Sequence, residues 1–417
     1  MSFAMTLRAK GLTGVATRAG AIRSRFGFGE GEMRRSLDSY LEITSMAGAR
    51  PTLPVTAVVL ARHPALIREY AARGVEFAVH GLVHADHASL GPDRQADDLT
   101  RAAALFHQAG VPFAGFRGPY LRYSTATDSV LRELGFRYHS SQAIHYAVLS
   151  AERLRHDSYQ RALEFYRTWE GDCFISRPRN LNGLLHIPVS VPDDEMLVER
   201  LGLKSDEQTA AWREILNRTH RDGELFTIQL HPERVADVGN ALATILKEAR
   251  AFGDVWLAQL QEIADWWRIR SAARIELWES APARFNAVLR GADPLTLTVD
   301  RPDRISEVVG PGRIVEITSA ARPVIGVPSE TRGELSGFLR EEGYLVERGV
   351  DPRSVALFLS SPNGSSEKAL LAQVRSASAP LVRLARWPAG SSSALAVTGD
   401  IDSVTYQDFV LRLWETR

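Results

Sequence analysis

The chain has 417 residues, 45% of them hydrophobic, enough to bury a barrel-sized core and a smaller second one without covalent staples. Its 50 acidic and 50 basic side chains cancel, so no global charge favours nucleic acid or an anionic membrane as a partner. The single cysteine, Cys173, excludes an internal disulfide and a cysteine-ligated zinc, which leaves histidine and carboxylate to hold any transition metal.

Residues 1–25 scatter arginines without the apolar run of a signal peptide, and no later stretch is long and apolar enough to span a membrane, so the expected compartment is cytoplasmic. From about residue 33 to about residue 267 helical and strand patterns alternate, as in an α/β fold. Residues 33–41 have the spacing of an amphipathic helix, 53–60 read as a short buried strand, and 64–73 as a helix stopped near Gly74. The next strand, 75–79, ends on His80. A helix over 97–108 leads to Phe113-Ala114-Gly115-Phe116 and then to Arg117-Gly118-Pro119-Tyr120. The strand 224–230 ends on His231-Pro232, and a helix over 256–270 closes the region. Reactive side chains therefore recur where apolar strands stop, the position at which loops converge in β/α barrels.

From about residue 275 to about residue 387 the texture changes to short strands (285–289, 295–299, 313–317) between Pro- and Gly-bearing turns, then a helix over 334–342, a strand over 355–359 and a helix over 367–375. This predicts a separate α+β module without a dense set of ligands. Trp278 and Trp387 could stack on sugars, but burial at a domain junction is the simpler expectation for both. The expected division is a barrel over 1–272, the module over 273–387, and a terminal segment, 388–417, that returns to the barrel.

That last segment carries the chemistry. Its apolar run Ser393-Ala394-Leu395-Ala396-Val397-Thr398-Gly399 reads as a buried strand followed by Asp400-Ile401-Asp402. Two acids two apart face the same side of an extended backbone, where they would repel and lose hydration unless a metal ion or an arginine answers them; an exposed turn is the bland alternative. His80 and His84 stand four apart, a spacing that lets two imidazoles converge on one ion, with His87 a rival ligand. Two histidines and one carboxylate suit Zn²⁺ or another divalent transition metal and leave positions for water, whose pKa such an ion lowers to roughly 7, and for substrate.

Four stretches, in order, make the pattern specific: Gly74-Val75-Glu76-Phe77-Ala78-Val79-His80-Gly81-Leu82-Val83-His84, Gly115-Phe116-Arg117-Gly118-Pro119-Tyr120, Leu134-Gly135-Phe136-Arg137-Tyr138-His139-Ser140-Ser141, and Leu230-His231-Pro232. Over about residues 33–270 the chain resembles the polysaccharide deacetylase family, also called the NodB-homology or carbohydrate esterase family four fold. The resemblance implies a distorted (β/α) barrel. The family's opening strand, an apolar run ending in two aspartates, would precede residue 33; here the stretch that resembles it is Ala394 to Asp402, with one residue between the acids. A circular permutation is implied, and chain termini that lie close together make such a move physically cheap.

Carried over position by position, the resemblance makes Asp402, His80 and His84 the ligands of a divalent transition metal, zinc first, with Co, Ni, Mn or Fe admitted. It makes Asp400 the general base toward metal-bound water, with Arg117 as its cationic partner. The backbone N–H of Tyr120 would help bind the oxyanion, and His231 would protonate the leaving amine. His139 stands where the family often has Asp before the paired serines, and the supporting acid is sought at Asp193 or Asp194 without a choice between them. The implied activity is metal-dependent hydrolysis of an amide C–N bond, N-deacetylation of an acetylated sugar or glycan. Cyclic amide or imide hydrolysis on the same fold is the enzymatic alternative, and non-catalytic glycan binding is the other.

Overall fold

The computed structural model describes residues 25–416 apart from 182, 303, 332 and 361–365; the sequence reading of the N-terminal stretch up to residue 24 lies outside the described residues. The barrel strands are β1 (Thr52–Val55), β2 (Glu76–Val79), β3 (Gly115–Phe116), β4 (Tyr138–His139), β5 (Ala143–His145), β6 (Trp169–Glu170), β7 (Arg179–Leu181), β8 (Leu184–His186), β9 (Val189–Val191), β10 (Leu225–Leu230) and β11 (Val255–Leu257), joined by β12 (Ser393–Gly399) from the far end of the chain. They form a nine-stranded sheet in the order β10-β12-β1-β2-β3-β4-β8-β7, with β11 also on β12, and a small second sheet, β6-β5-β9. All pairings are parallel except the hairpin β7–β8. The sheet curls into a partial barrel, and β9 lies beside β10, where Thr227 N–H donates to Ser190 Oγ (3.3 Å) in place of a backbone ladder.

Parallel strands covered on both faces need continuous apolar runs, and every residue of β1, β2, β10 and β12 is buried. Alternation then sorts the side chains. Leu53, Val55, Phe77, Val79, Leu395 and Val397 pack among helix residues such as Met33, Leu37 and Tyr40. The intervening Ala78, Ala394 and Ala396 join Trp266, Trp267 and Trp387 in a second core shared with the C-terminal module. Strand β12 is fixed on both edges: β10 pairs along its whole length, β11 holds its first half, and β1 takes over at Thr398. A one-residue slip would turn Leu395 and Val397 out of their core and send the aspartates that follow to the opposite face, so the register is strongly specified.

Two predicted elements differ. The run 53–60 is not one strand: β1 stops at Val55 and Ala57–Arg62 is a helix, with the Thr56 carbonyl accepting from Leu60 N–H (3.0 Å). A continuous apolar run has no period with which to tell a buried strand from a buried helix. Likewise 256–270 is the strand β11 followed by the helix Leu260–Ala272, which starts where Glu262 accepts from the Gln259 N–H (2.9 Å).

The module consists of three small sheets. Arg284–Arg290 pairs antiparallel with Arg274–Ala281 and Ile314–Thr318; Leu297–Arg301 pairs antiparallel with Arg304–Val309 and Leu381–Leu384; Arg322–Val327 pairs parallel with Val346–Arg348 and Val355–Phe358. It docks through Trp387, which is buried beside Trp256 and Trp267 and donates to the Gly223 carbonyl (2.9 Å). Trp278, by contrast, is 38% exposed, so the expectation of a buried junction does not extend to it. Glu342, almost fully buried, takes ion pairs from Arg177 on the barrel side and from Arg386. No helix among the described residues is long and apolar enough to cross a membrane.

Candidate functional site

The C-terminal strand delivers Asp400 and Asp402 to the ends of β1 and β2. Parallel bridging continues past β12, with Ile401 opposite Val55, the Ile401 N–H donating to the Pro54 carbonyl (2.7 Å) and the Ile401 carbonyl accepting from Thr56 N–H (3.4 Å). Ile401 is buried in the helix-side core, and the acids on either side of it face the histidines. His80 follows β2 directly. The chain then turns at Gly81, where φ is +81° and an added Cβ would lie 2.9 Å from the Val83 carbonyl, so glycine permits the tight return that brings His84 back.

His80 Nε2 is 3.3 Å from Asp402 Oδ1, and His84 Nε2 is 3.3 Å from Asp402 Oδ2. Asp400 Oδ2 stands 3.7 Å from His80 Nε2. His80 Nδ1–H donates to the Arg117 carbonyl (2.8 Å), which fixes the tautomer and leaves Nε2 as the lone-pair atom facing the acids. His80 Nε2 and Asp402 Oδ1 are buried and make no regular hydrogen bond. Orphaned buried donors and acceptors of this kind are costly unless something binds them. The three ligand atoms lie within 4.8 Å of one another, and two imidazoles with one carboxylate are the donor set a divalent transition metal accepts. The residues present fit a metal ion.

Burial holds His84 down to about 3, with Arg412 and His80 pushing the same way against Asp402. Burial also opposes a charge on His80, but Asp400 and Asp402 outweigh it and raise its pKa. Asp402 lies well below the usual carboxylate range although buried, because His84, Arg412 and His80 surround it. The pair of acids therefore draws positive charge into this point of the molecule.

Arg117 is fully buried and held on every side. Its Nε donates to the Ser140 carbonyl (2.8 Å), Nη2 to Ser140 Oγ (2.9 Å), and Nη1 to Thr398 Oγ1 (2.8 Å), to Gln229 Oε1 and to Asp400 Oδ1 (3.4 Å). The next residue, Gly118, passes so close to the Arg122 carbonyl that an added Cβ would lie 2.5 Å from it. Tyr120 and Leu121 then adopt left-handed backbone, φ 60° and 55°, a strained choice for residues with side chains. The Tyr120 ring stands edge-on to His84, 4.4 Å between centroids, and is 41% exposed.

His231 follows β10. Its backbone N–H donates to Asp194 Oδ2 (2.9 Å) and its ring Nδ1–H to Asp194 Oδ1 (2.8 Å), so Nε2 is the free ring atom. Burial disfavours the imidazolium, yet Asp194 outweighs burial and pushes the pKa of His231 up to about 10. Asp194 is in turn lowered despite burial by His231 and Arg234. The choice that sequence left open falls this way: Asp194 touches His231, whereas Asp193 accepts from Met196 N–H (2.8 Å) and is raised to about 7 by burial and by Asp194.

His87 is buried against Phe116, 5.3 Å between ring centroids, and stands outside the His80–His84–Asp402 group. His139 faces Asp128 and Ser141. Sequence reasoning missed Arg412, whose Nη1 donates to Asp402 Oδ2 (2.5 Å) from the helix Tyr406–Glu415. The Thr405-x-x-Asp408 capping box marks the start of that helix in the sequence but does not single out Arg412. A cavity of about 710 Å³ at the junction with the module, lined by Asp300, Arg383 and Trp387 among others, shares no residue with the site.

Residues 28–139 match the family model for polysaccharide deacetylases. Over that stretch the chain is similar to polysaccharide deacetylases. Over 77 residues, 18% of this chain, it is 38% identical to a peptidoglycan deacetylase-like protein of Gibberella zeae, and that match spans 23% of the relative's length. Among solved structures, a Mycobacterium smegmatis protein assigned to the polysaccharide deacetylases is 24% identical with TM-score 0.45, covering 57% of this chain and 78% of that one. An allantoinase is 17% identical with TM-score 0.43, covering 56% and 72%.

Proposed function

We propose that the deacetylase domain hydrolyses an amide C–N bond with the help of a divalent transition metal, and that its substrate is an N-acetylated sugar or glycan. The observation that carries the reading is the meeting of His80, His84 and Asp402 in one buried group with Asp400 beside it and His231 held by its own acid. The arrangement is consistent with a circular permutation of the family's opening strand, since β12 lies between β10 and β1.

His80, His84 and Asp402 would hold the metal, zinc first, which when bound supplies a Lewis acid and makes water more acidic. Asp400 accepts a proton from the attacking water, and Arg117, immobilised by Ser140, Thr398 and Gln229, sets the position of that carboxylate. The Tyr120 backbone N–H donates to the carbonyl oxygen as negative charge develops there, a contribution typically worth ~10²–10³ in rate. His231, kept protonated by Asp194, delivers its Nε2 proton to the departing amine nitrogen; without it the intermediate would have to expel a poor leaving group. Arg412 holds one oxygen of Asp402 and so orients the other.

The test pairs metal content with acetate release. Purified protein should carry a transition metal, lose activity on acetamido sugars when chelated and regain it on reconstitution, and Asp402→Asn should lose both metal and activity. Protein without transition metal and without acetate release would sink the hydrolase reading. Activity confined to small cyclic amides would sink the substrate and keep the bond class.

A further inference from the structure

A second histidine–carboxylate group lies behind the loop that carries Arg117 and Tyr120. His139 ends β4 and His186 ends β8, register partners in the main sheet, and Asp128 reaches them from the helix Thr125–Glu133. Asp128 Oδ1 is 2.8 Å from His139 Nδ1 and 3.2 Å from His186 Nε2, with the two rings 4.8 Å apart. Three potential ligand atoms thus lie within 4.8 Å of one another. His186 is 98% buried, being 2% exposed; its Nδ1 meets no hydrogen-bond partner, and its Nε2 meets Asp128 Oδ1 without regular hydrogen-bond geometry. A buried imidazole left in that state is costly unless something occupies the space it faces.

We propose that Asp128, His139 and His186 form a second site for a divalent transition metal, distinct from the His80–His84–Asp402 group. Donors about 2.1 Å from one ion stand roughly 3–3.4 Å apart at octahedral or tetrahedral angles, close to the two Asp128–histidine spacings here, and two nitrogens with one oxygen suit Zn²⁺ or Co²⁺. Ligation through Nδ1 places the remaining proton of His139 on Nε2, which is 2.7 Å from Ser141 Oγ, an outer partner of the kind that orients ligating histidines. Neutral imidazole and ionised carboxylate are the ligating forms.

The site has a structural consequence for the first. Ser141 Oγ also accepts the Gly118 N–H (2.7 Å), one residue from Arg117. An ion on His139 therefore anchors, through Ser141, the loop between Arg117 and Tyr120. This proposal stands on its own cluster and does not depend on the hydrolase reading.

The experiment is metal stoichiometry on the full chain, stripped with chelator, titrated with Co²⁺ and with Zn²⁺, and read by visible absorption and elemental analysis. The wild type should bind about two ions per chain, H80A/H84A about one, and Asp128→Asn about one, each at unchanged circular dichroism. His186→Phe, which keeps a planar ring, stands in if Asp128→Asn does not fold. About one ion in the wild type and none in folded H80A/H84A would overturn the second site and leave a hydrogen-bonded Asp–His–Ser chain. Two ions in both the wild type and Asp128→Asn would also overturn it, by placing the second ion elsewhere. One ion in both the wild type and H80A/H84A would uphold the second site while overturning the first, so the two readings fail separately.

Discussion

Replacing Asp194 with Asn should convert His231 from a permanent cation into a neutral ring at pH 7. Asp194 accepts both the backbone N–H and the Nδ1–H of His231 and is itself fully buried. Burial alone would press the imidazole below its ordinary 6.5; the carboxylate reverses this and carries it to about 10. That rise corresponds to about 5 kcal/mol of preference for the charged ring. Asn keeps the shape and one acceptor but no charge, while Arg234, 3.8 Å from Asp194, still repels a cation. The variant's His231 should therefore titrate below 6.5. Because the folded pKa of His231 exceeds its unfolded value, its contribution to stability is complete below about 6.5 and disappears as pH rises through about 10; the variant loses it throughout. Histidine-labelled protein, with the His231 resonance assigned from His231→Gln, gives the measurement by NMR titration between pH 5 and pH 10. Acetate release at pH 8 should fall by ~10²–10⁴ with loss of the general acid proposed above. A wild-type His231 that titrates near 6.5, or an Asn variant that titrates where the wild type does, would refute the reasoning.

Three further outcomes follow from the same geometry. Asp400→Asn should lower kcat by ~10²–10⁴ with metal content retained, since Asp400 lies beside the ligand group and outside it; loss of the metal would make it a ligand instead. Tyr120→Gly keeps the backbone N–H and is at ease at φ 60°, so kcat should change by less than ~10-fold, whereas a loss near 10²-fold would place the role in the ring that stands on His84. Glu342→Gln should cost about 3–5 kcal/mol in denaturant unfolding, because Arg177 and Arg386 would lose their buried counter-ion and Arg270 already sits lowered to about 9 by burial and by those arginines. Glu342 itself is pulled down to about 2 by the arginines despite burial, so the stability it supplies is present above the ordinary carboxylate range and fades as pH falls toward about 2; a change under about 1 kcal/mol at pH 7 would contradict the account.

Several residues proposed for the first site are visible in the chain's own pattern because they follow strands: His80 after β2, Arg117 after β3, His231 after β10, and the aspartates after β12. Apolar runs that end on a polar residue are visible in one dimension. Partners that act from helices were not. Arg412 lies on one face of a short helix near the end of the chain, and nothing in its neighbours distinguishes it from the other arginines until Asp402 is seen 2.5 Å away. Asp128 belongs with His139 and His186 only because β4 and β8 are neighbours in the sheet, a pairing that no local spacing encodes. Element boundaries failed for a related reason. The runs Ala57–Leu60 and Val255–Ala258 are continuously apolar, and without polar residues at regular intervals the period that separates helix from strand disappears.

The C-terminal segment is built into the molecule as a central element. Strand β12 has neighbours on both edges, and Leu395 and Val397, each almost fully buried, contribute roughly 1.5–3 kcal/mol apiece to holding its register. Beyond the aspartates, Asp408 accepts from Thr405 N–H (3.0 Å) and faces His63 (2.8 Å), so the last helix is fastened to the turn that follows Ala57–Arg62. The carboxylates thus lie between two anchored elements, a strand behind and a capped helix ahead. Reactive carboxylates must be held within a fraction of an ångström of their partners, and loops hold geometry less well than strands and helices do. That requirement concerns neighbours in space, not order along the chain. A strand with the same two edges partnered places Asp400 and Asp402 equally well from either end, which is why the long interval between the histidines and the aspartates is compatible with one tight site.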